Sequence, residues 1–592
     1  MKSRGLYTKI TEIFSASRKE SFPEVNTQPS RWSYVHGASD RPLIHKTVAQ
    51  ILQGTVEAVP NKDAFVLPHR DYHKTYLELW DESRRLARGL LYLGLRPGDR
   101  LAIWSPNCYE WVLTQYAAAR AGIILVSVNS AYKTAELKHV MEKVGAKGLI
   151  APFEHRQAQY YKMMTQLIPE IEENPNGIGH LHHNVLPALK HFITFDYKFQ
   201  TPTFKGAWNF WQLVEAGGER ESVLLNKIDK ELSPDDILAI MFTSGKTGRP
   251  KASALTHHNV LNNALSVGRR MGLNKERQNI CVPVPLHGAF GAVLGSLNSV
   301  LHYSTCVLPC SRFSASGVLQ SIQDRSCSVV LSTPTMFIDM LNDPKFKQYN
   351  LNSLKTALVS GAKCQPRLCK EIVSNFGLQA LHKLYGTTEV SPAAFMTIPN
   401  DQYDTVGNVL DHIEAKVIDA EGRKAIRGEI GELCIRGYSV MSGYWSEEQN
   451  EKNRGVEPDR WYRTGDLAKM NDDGTLIIEG RVKNVINRGG EAVYARELEV
   501  FLLSHPAVAD AHVIGVRDER LGEEICAWIQ LKDGAENTTV EHLIKYCKSQ
   551  LAHFKVPRYV IFKRDFEFPK LETGKIDKEK MRKLSEKTLG IH

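Results

Sequence analysis

Short apolar runs alternate with segments of helical period from about residue 100 to residue 384. That alternation leaves few folds open, because successive strand–helix–strand units bury their apolar faces only in layers, with the strands largely parallel. Strands are expected at 100–104, 123–128, 147–151, 237–242, 305–308, 328–331, 356–359 and 380–384, and helices at 107–121, 334–341 and 366–376. Pro334 and Pro366 open the last two helices, where a missing amide hydrogen costs no helical bond. Past about residue 400 the texture changes. Residues 405–480 are Gly-rich, with short strands at 414–418, 431–436 and 476–479, the pattern of a small antiparallel subdomain. A polar, Gly-rich stretch at 480–490 follows. Beyond it an α+β unit is expected, with a helix at 496–504 and strands at 511–516, 525–531 and 558–562. Its other helix is opened by a capping box of Thr538 and Glu541, with Val540, Leu543, Ile544, Cys547 and Leu551 on one face. The fold class is therefore α/β: a large N-terminal domain of layered α/β subdomains with a small β subdomain, then an α+β C-terminal domain. The divisions fall at 1–32 (a leader), 33–482 and 483–592.

Charge and composition narrow the function. A formal charge of +9 over 592 residues, with no Lys/Arg block, argues against nucleic acid as a partner. The ten cysteines form no zinc-ligand spacing and read as buried free thiols in a reducing compartment. Residues 278–311 lack any charged side chain, but Pro283, Pro285, Pro309 and three glycines break the stretch. It reads as a buried strand–loop–helix with its longest helix at 289–301, not as a membrane span. The N-terminus offers two readings of equal weight. Leu6, Ile10, Ile13 and Phe14 at helical spacing among basic residues suit a mitochondrial transit helix, and Glu12 and Glu20 suit a frayed terminus. The mitochondrial matrix and the cytoplasm both stay open as locations. No secretory segment is expected.

The chemistry concentrates in four motifs. In the run from Met241 to Lys251, Gly245 and Gly248 let backbone amides approach an anion, among Thr243, Ser244 and Thr247, while Lys246, Arg249 and Lys251 add positive charge. The run is no Walker loop, because the first glycine of that motif would fall on Ile240. Tyr385-Gly-Thr-Thr-Glu389, Tyr462-Arg-Thr-Gly-Asp466 and Pro569-Lys-Leu-Glu-Thr-Gly-Lys575 follow. Each alone is an ordinary turn; in this order they form a pattern.

With these motifs the chain resembles the adenylate-forming superfamily of acyl-CoA synthetases, luciferases and peptide-synthetase adenylation domains, over residues 33–583. It looks closest to the medium-chain branch called acyl-CoA synthetase family member 2, through stretches such as Ser33-Tyr-Val-His-Gly37 and Thr333-Pro-Thr-Met-Phe337. The resemblance implies ATP-dependent activation of a fatty acid to an acyl-adenylate, then transfer to coenzyme A. It also implies that Thr243, Ser244, Gly245, Lys246, Thr247, Gly248 and Lys251 hold the β- and γ-phosphates. Thr388 would donate to the α-phosphate and Glu389 would hold Mg²⁺. Tyr385, with Gly361 and Ala362, would enclose the adenine. Asp466 and Arg481 would hold the ribose, and Lys575 would bridge the α-phosphate and the attacking carboxylate. For the second step the resemblance implies a mobile C-terminal domain. Its hinge would lie at Gly480–Asn484, and its loop Arg488, Gly489, Gly490 and Glu491 would swing to the pantetheine tunnel.

This chain departs from the family pattern at Lys246 and Ala252, at Gly288 where a His is usual (with His287 displaced by one), at Asn484 where an Asp is usual, and at Ala492 and Ala495. Two other readings therefore stay open: a ligase for a different carboxylic acid, and a non-catalytic adenylate-binding relative. Oligomeric state stays undetermined, and the apolar substrate leaves peripheral membrane contact open.

Overall fold

The computed structural model describes residues 31–591, except 198–202, 244–249, 363, 400–402, 446–454, 489–490, 519–520, 552–554, 565–566 and 572–574. Two large sheets form the bulk of the chain. In the first, the strands Ile237–Thr243, Ile124–Val128, Arg100–Trp104, Gly148–Pro152, His191–Phe195 and Trp208–Asn209 run parallel in that spatial order. Lys251–Thr256 and Gly443–Tyr444 extend it antiparallel. In the second, Ala380–Tyr385, Thr356–Val359, Val329–Ser332, Asn279–Cys281, Thr305–Val307 and Asp63–Leu67 are parallel. Helix Tyr109–Arg120 is buried along its whole length, as expected of a helix packed on all sides.

Most of the remaining strands pair antiparallel. Ile413–Ile418, Ile430–Gly437, Tyr462–Met470 and Leu476–Arg481 form a small sheet. Its edge is closed by Tyr34–His36, a strand the sequence pattern did not reveal. A last sheet contains Val485–Arg488, Glu491–Tyr494, Val508–Asp518 and Gly522–Leu531, with Tyr559–Phe562 parallel to the last. The chain crosses from the small sheet to this one between Arg481 and Val485. No described helix is long and apolar enough to cross a membrane.

One local expectation is corrected, and one expected helix takes an unusual form. The helix Val540–Gln550 is capped by Thr539, not Thr538, and Leu551 lies just past its end. Thr539 has extended backbone and its hydroxyl accepts from the His542 amide at 3.3 Å, which leaves Glu541 in the first turn instead of completing a box. Thr539→Ala is expected to cost ~1 kcal/mol in urea unfolding, while Thr538→Ala stays within about 0.5 kcal/mol. The uncharged helix is π-helical over Phe290–Leu297 and α-helical only over Asn298–Leu301. Its glycines are packing sites: a Cβ on Gly291 would meet the Pro285 carbonyl oxygen at 2.3 Å, and one on Gly295 would meet Val282 at 2.6 Å.

Candidate active site

The carboxyl ends of the strands Ile237–Thr243 and Ala380–Tyr385 meet through Glu389, and the strand Tyr462–Met470 joins them through Asp466; carboxyl ends of strands are where open α/β sheets present ligand-binding loops. The strand Ala380–Tyr385 ends in the turn of the Tyr-Gly-Thr-Thr-Glu motif. Gly386 has no room for a side chain there, since a Cβ would lie 1.9 Å from the Pro392 carbonyl oxygen. That approach folds Thr388–Val390 back as a short 3₁₀ turn and carries Glu389 to the end of the strand Ile237–Thr243. The Thr243 hydroxyl donates to Glu389 Oε1 at 3.2 Å, and the Tyr444 hydroxyl donates to the same oxygen at 2.9 Å. The Glu389 amide region is tied in turn by the Met441 amide, which donates to the Glu389 carbonyl at 2.9 Å. Lys251, paired with Thr243 across the hairpin, sets its ammonium 4.6 Å from the Tyr444 ring centroid, a cation–π contact. The hydroxyl of Thr387 is buried and has no hydrogen-bond partner among the described residues. Ser244, Gly245, Lys246, Thr247 and Gly248 lie outside the described residues.

The other flank is built on Asp466. Tyr385 donates its hydroxyl to Asp466 Oδ2 at 2.7 Å, and Arg481 Nε lies 2.5 Å from Oδ1. Asp466 and Arg481 are register partners on adjacent strands, so the sheet itself sets this pair. Asp466 is buried and Arg481 open to solvent. Burial, and then the neighbouring carboxylate, push the Tyr385 phenol well above its ordinary value and keep it a donor. Gly361 and Ala362 form the exposed turn after the strand Thr356–Val359; Gly361 sits at φ +88°, a conformation that favours glycine.

Lys575 reaches this flank from the far end of the sequence. Residues 570 and 576 bridge, and the Leu571 amide donates to the Lys575 carbonyl at 2.7 Å, which fixes the base of its loop. The side chain is open at the protein surface, yet enough protein surrounds it that its charge is desolvated. Its ammonium is held below the ordinary lysine value, chiefly by that desolvation, then by Arg481, against the opposing pull of Asp466. Lys575, Arg481 and Asp466 therefore share one electrostatic neighbourhood.

The remaining sequence candidates lie further along the crossing. Asn484 is half-buried in the turn Val482–Asn484. Arg488 ends the following strand and ion-pairs with Glu524, which is fully buried. Glu491 opens the next strand, while Gly489 and Gly490 lie outside the described residues. His287 is held down to about 4 by burial and is a neutral imidazole. At Gly288 a Cβ would meet its nearest neighbour, the Pro285 carbonyl oxygen, at an ordinary 3.7 Å.

Sequence reasoning missed Tyr444, which no motif contains, and the hydroxyl of Thr387. It also missed a small apolar cavity of about 10 Å³ lined by Trp111, Gln115, Ala239, Met241, Val293 and Leu297. Side chains alternate along a strand, so Ala239, Met241 and Thr243 share one face. The cavity thus lies on the same side of that strand as Glu389.

A family model described as "AMP-binding enzyme" matches residues 52–445, and one described as "AMP-binding enzyme C-terminal domain" matches 497–575. The chain belongs to the AMP-binding enzyme family. Among curated relatives it is 41% identical to a protein of Danio rerio named "Medium-chain acyl-CoA ligase ACSF2, mitochondrial", over 98% of this chain and 95% of that one. Among solved structures it resembles the anthranilate CoA ligase AuaEII in complex with anthranoyl-AMP, with TM-score 0.77 and 24% identity over 93% of this chain and 99% of that one. It likewise resembles ATP-bound MatB from Rhodopseudomonas palustris, with TM-score 0.76 and 22% identity over 91% and 99%. These two likenesses establish the fold.

Proposed function

We propose that the protein joins a fatty acid of medium chain length to the α-phosphate of ATP, releasing pyrophosphate, and passes the acyl group to coenzyme A, giving acyl-CoA and AMP. The observation that carries this reading is the grouping of Tyr385, Asp466, Arg481 and Lys575 beside the strand ends where Thr243 and Glu389 meet. The named relative supports the acid, the thiol and a mitochondrial location.

In this reading the domain from residue 33 to 482 holds the nucleotide and the domain from 483 to 592 supplies Lys575. Asp466 is acceptor-only and suits the two ribose hydroxyls. The Tyr385 ring and the turn of Gly361 and Ala362 enclose the base. Thr388 and Lys575 place donors and charge where the α-phosphate and the incoming carboxylate meet, two anions that repel without them. Among the described residues no cluster of three or more His, Cys, Asp or Glu stands ready to cage a metal. A single carboxylate, Glu389, fits Mg²⁺ that is held mainly by the nucleotide's phosphates and water. The metal would neutralise phosphate charge there. Thr243, Ser244, Gly245, Lys246, Thr247, Gly248 and Lys251 serve the β- and γ-phosphates. Arg488, Gly489, Gly490 and Glu491 serve the thiol step after rotation about Asn484, which requires the Arg488–Glu524 pair to travel with the C-terminal sheet.

The test is to incubate the protein with Mg-ATP, coenzyme A and acids from acetate to long-chain, and to read products by mass spectrometry. Acyl-CoA from medium-chain acids is the expected result. ATP binding with no adenylate or thioester from any acid would overturn the reading in favour of a binding protein.

In this reading the acyl tail runs down the face of the strand below Thr243, past Met241, where a small void of about 10 Å³ lies. Ala239→Leu exceeds this void and crowds that face of the strand. We expect kcat/KM for the longest accepted acids to fall about tenfold, with short acids unaffected, the scale of a lost methylene site. An equal fall at every chain length would mean the tail runs elsewhere.

A further inference from the structure

Cys364 and Cys369 form a close thiol pair. Their sulfurs lie 3.4 Å apart, both side chains are buried, and both are free thiols. Cys369 sits in the first turns of helix Pro366–Phe376 and packs with Ile372 and Phe376 on the buried face. Cys364 sits in the irregular segment between the strand Thr356–Val359 and that helix, three residues after Gly361. Lys383, buried on the neighbouring strand with its ammonium on the Tyr403 carbonyl, faces both thiols electrostatically. Lys383 and Tyr385 alternate onto one face of their strand, and the Ser360 hydroxyl donates to the Leu384 carbonyl at 3.1 Å. The thiol pair, the turn 360–362 and Tyr385 are thus one connected unit.

We propose that Cys364 and Cys369 form a peroxide-responsive dithiol whose disulfide draws the turn of Gly361 and Ala362 out of its nucleotide-binding shape. The coupling to ATP rests on the nucleotide reading given above. A disulfide places the sulfurs about 2.05 Å apart, so they must close by about 1.3 Å from their 3.4 Å contact. Cys369 is held by its helix, its amide bonded to the Gln365 carbonyl at 3.0 Å. Cys364, outside any helix or strand, makes the movement and pulls on the turn before it.

The chemistry balances with hydrogen peroxide as oxidant. The Cys369 thiolate attacks one peroxide oxygen; an S–O bond forms, the O–O bond breaks, and the second oxygen leaves as hydroxide and takes a proton. Cys364 then attacks the sulfenyl sulfur; the S–S bond forms and the S–O bond breaks, releasing the second water. Two thiols are oxidised and one peroxide is reduced to two waters. Cys369 is the nucleophile of the pair. In the structure the Cys369 thiol donates to Cys364 Sγ. Once Cys369 ionises the bond reverses, and the Cys364 thiol, then Lys383 against desolvation, hold the Cys369 thiolate below the ordinary thiol range while Cys364 is raised. Burial holds Cys306 up at about 12 and Cys310 at about 11, which leaves them poorer nucleophiles.

The sequence makes the test direct. Trypsin cuts after Lys363, Arg367 and Lys370, which puts Cys364 and Cys369 on separate fragments, 364–367 and 368–370. The full-length protein is treated with dilute hydrogen peroxide, its remaining thiols are alkylated, and it is digested without reductant. The linked fragments are expected before the other cysteines react, and dithiothreitol should abolish them. The oxidised protein should bind ATP ~10-fold more weakly in calorimetry, within the range of ordinary coupling between sites, and Cys364→Ser should bind ATP as the reduced protein does, unchanged by peroxide. Oxidation of Cys369 to sulfinic acid without linked fragments overturns the proposal, as does linkage that leaves ATP affinity unchanged, or a peroxide effect that persists in Cys364→Ser. Linkage and ATP affinity are read without acyl transfer, so a protein that makes no acyl-CoA but passes both keeps this proposal while failing the ligase reading.

Discussion

Lys575→Ala is expected to lower acyl-adenylate formation by ~10²- to 10³-fold, the loss seen when one donor to a developing anion is removed. Its ammonium arrives on a loop anchored at residues 570 and 576 and lies in the field of Arg481 and Asp466. A mobile point charge of this kind screens the α-phosphate from the carboxylate only while both are present. Thioester formation from preformed acyl-adenylate and coenzyme A should therefore run at nearly the unmodified rate. The lowered lysine pKa adds a second signature with a definite sign. The charged form is the working form, so adenylation should decline on the alkaline side at a pH below the ordinary lysine value. Lys575→Arg, which stays charged, should lose that decline even if it works more slowly. Single-turnover assays of each half-reaction across pH read all three. An equal loss in both half-reactions would assign Lys575 to structure alone.

The parallel strands were legible because burial on both faces writes them as continuous apolar runs. Arg100–Trp104 and Thr356–Val359 have the bounds that the sequence suggests. Helices Pro334–Leu341 and Pro366–Phe376 were legible from proline at their first position. What the sequence hid is non-local. Tyr34–His36 looks like a linker until residues 414–416 pair with it, some 380 positions away. Tyr444 matters only because the strand Gly443–Tyr444 lies beside Lys251–Thr256, which turns its hydroxyl to Glu389. The π-helical turns after Ala289 answer to the close approach of Gly291 and Gly295 to the preceding segment, a packing fact with no periodic signature. Among the site candidates, Glu389, Asp466, Arg481 and Lys575 came from the family resemblance that the ordered motifs carry, each motif alone being an ordinary turn, and the register of two strands is what places Arg481 on Asp466.

Asp466→Ala is expected to weaken ATP binding by ~10²-fold or more. Two hydrogen bonds to a charged acceptor are lost, each contributing about 1.5–3 kcal/mol, and every 1.4 kcal/mol is about tenfold. The fold should tolerate the change better than the site does. Arg481 is open to solvent and rehydrates once its partner is gone, which leaves the Tyr385 phenol as the main buried donor without its acceptor. The assignment to the ribose is separated from a general loss of order by changing the ligand as well as the protein. The unmodified protein should bind 2′-deoxy-ATP more weakly than ATP, because one hydroxyl donor to Asp466 is missing. In Asp466→Ala that difference should vanish, since no acceptor remains to notice the hydroxyl. This is a double-mutant cycle with one leg in the nucleotide, and its interaction energy reports the contact itself. Calorimetry with both nucleotides on both proteins supplies the four corners. If removing the hydroxyl weakens binding equally in the two proteins, the coupling is zero and Asp466 acts through Tyr385 and Arg481 instead of through the ribose.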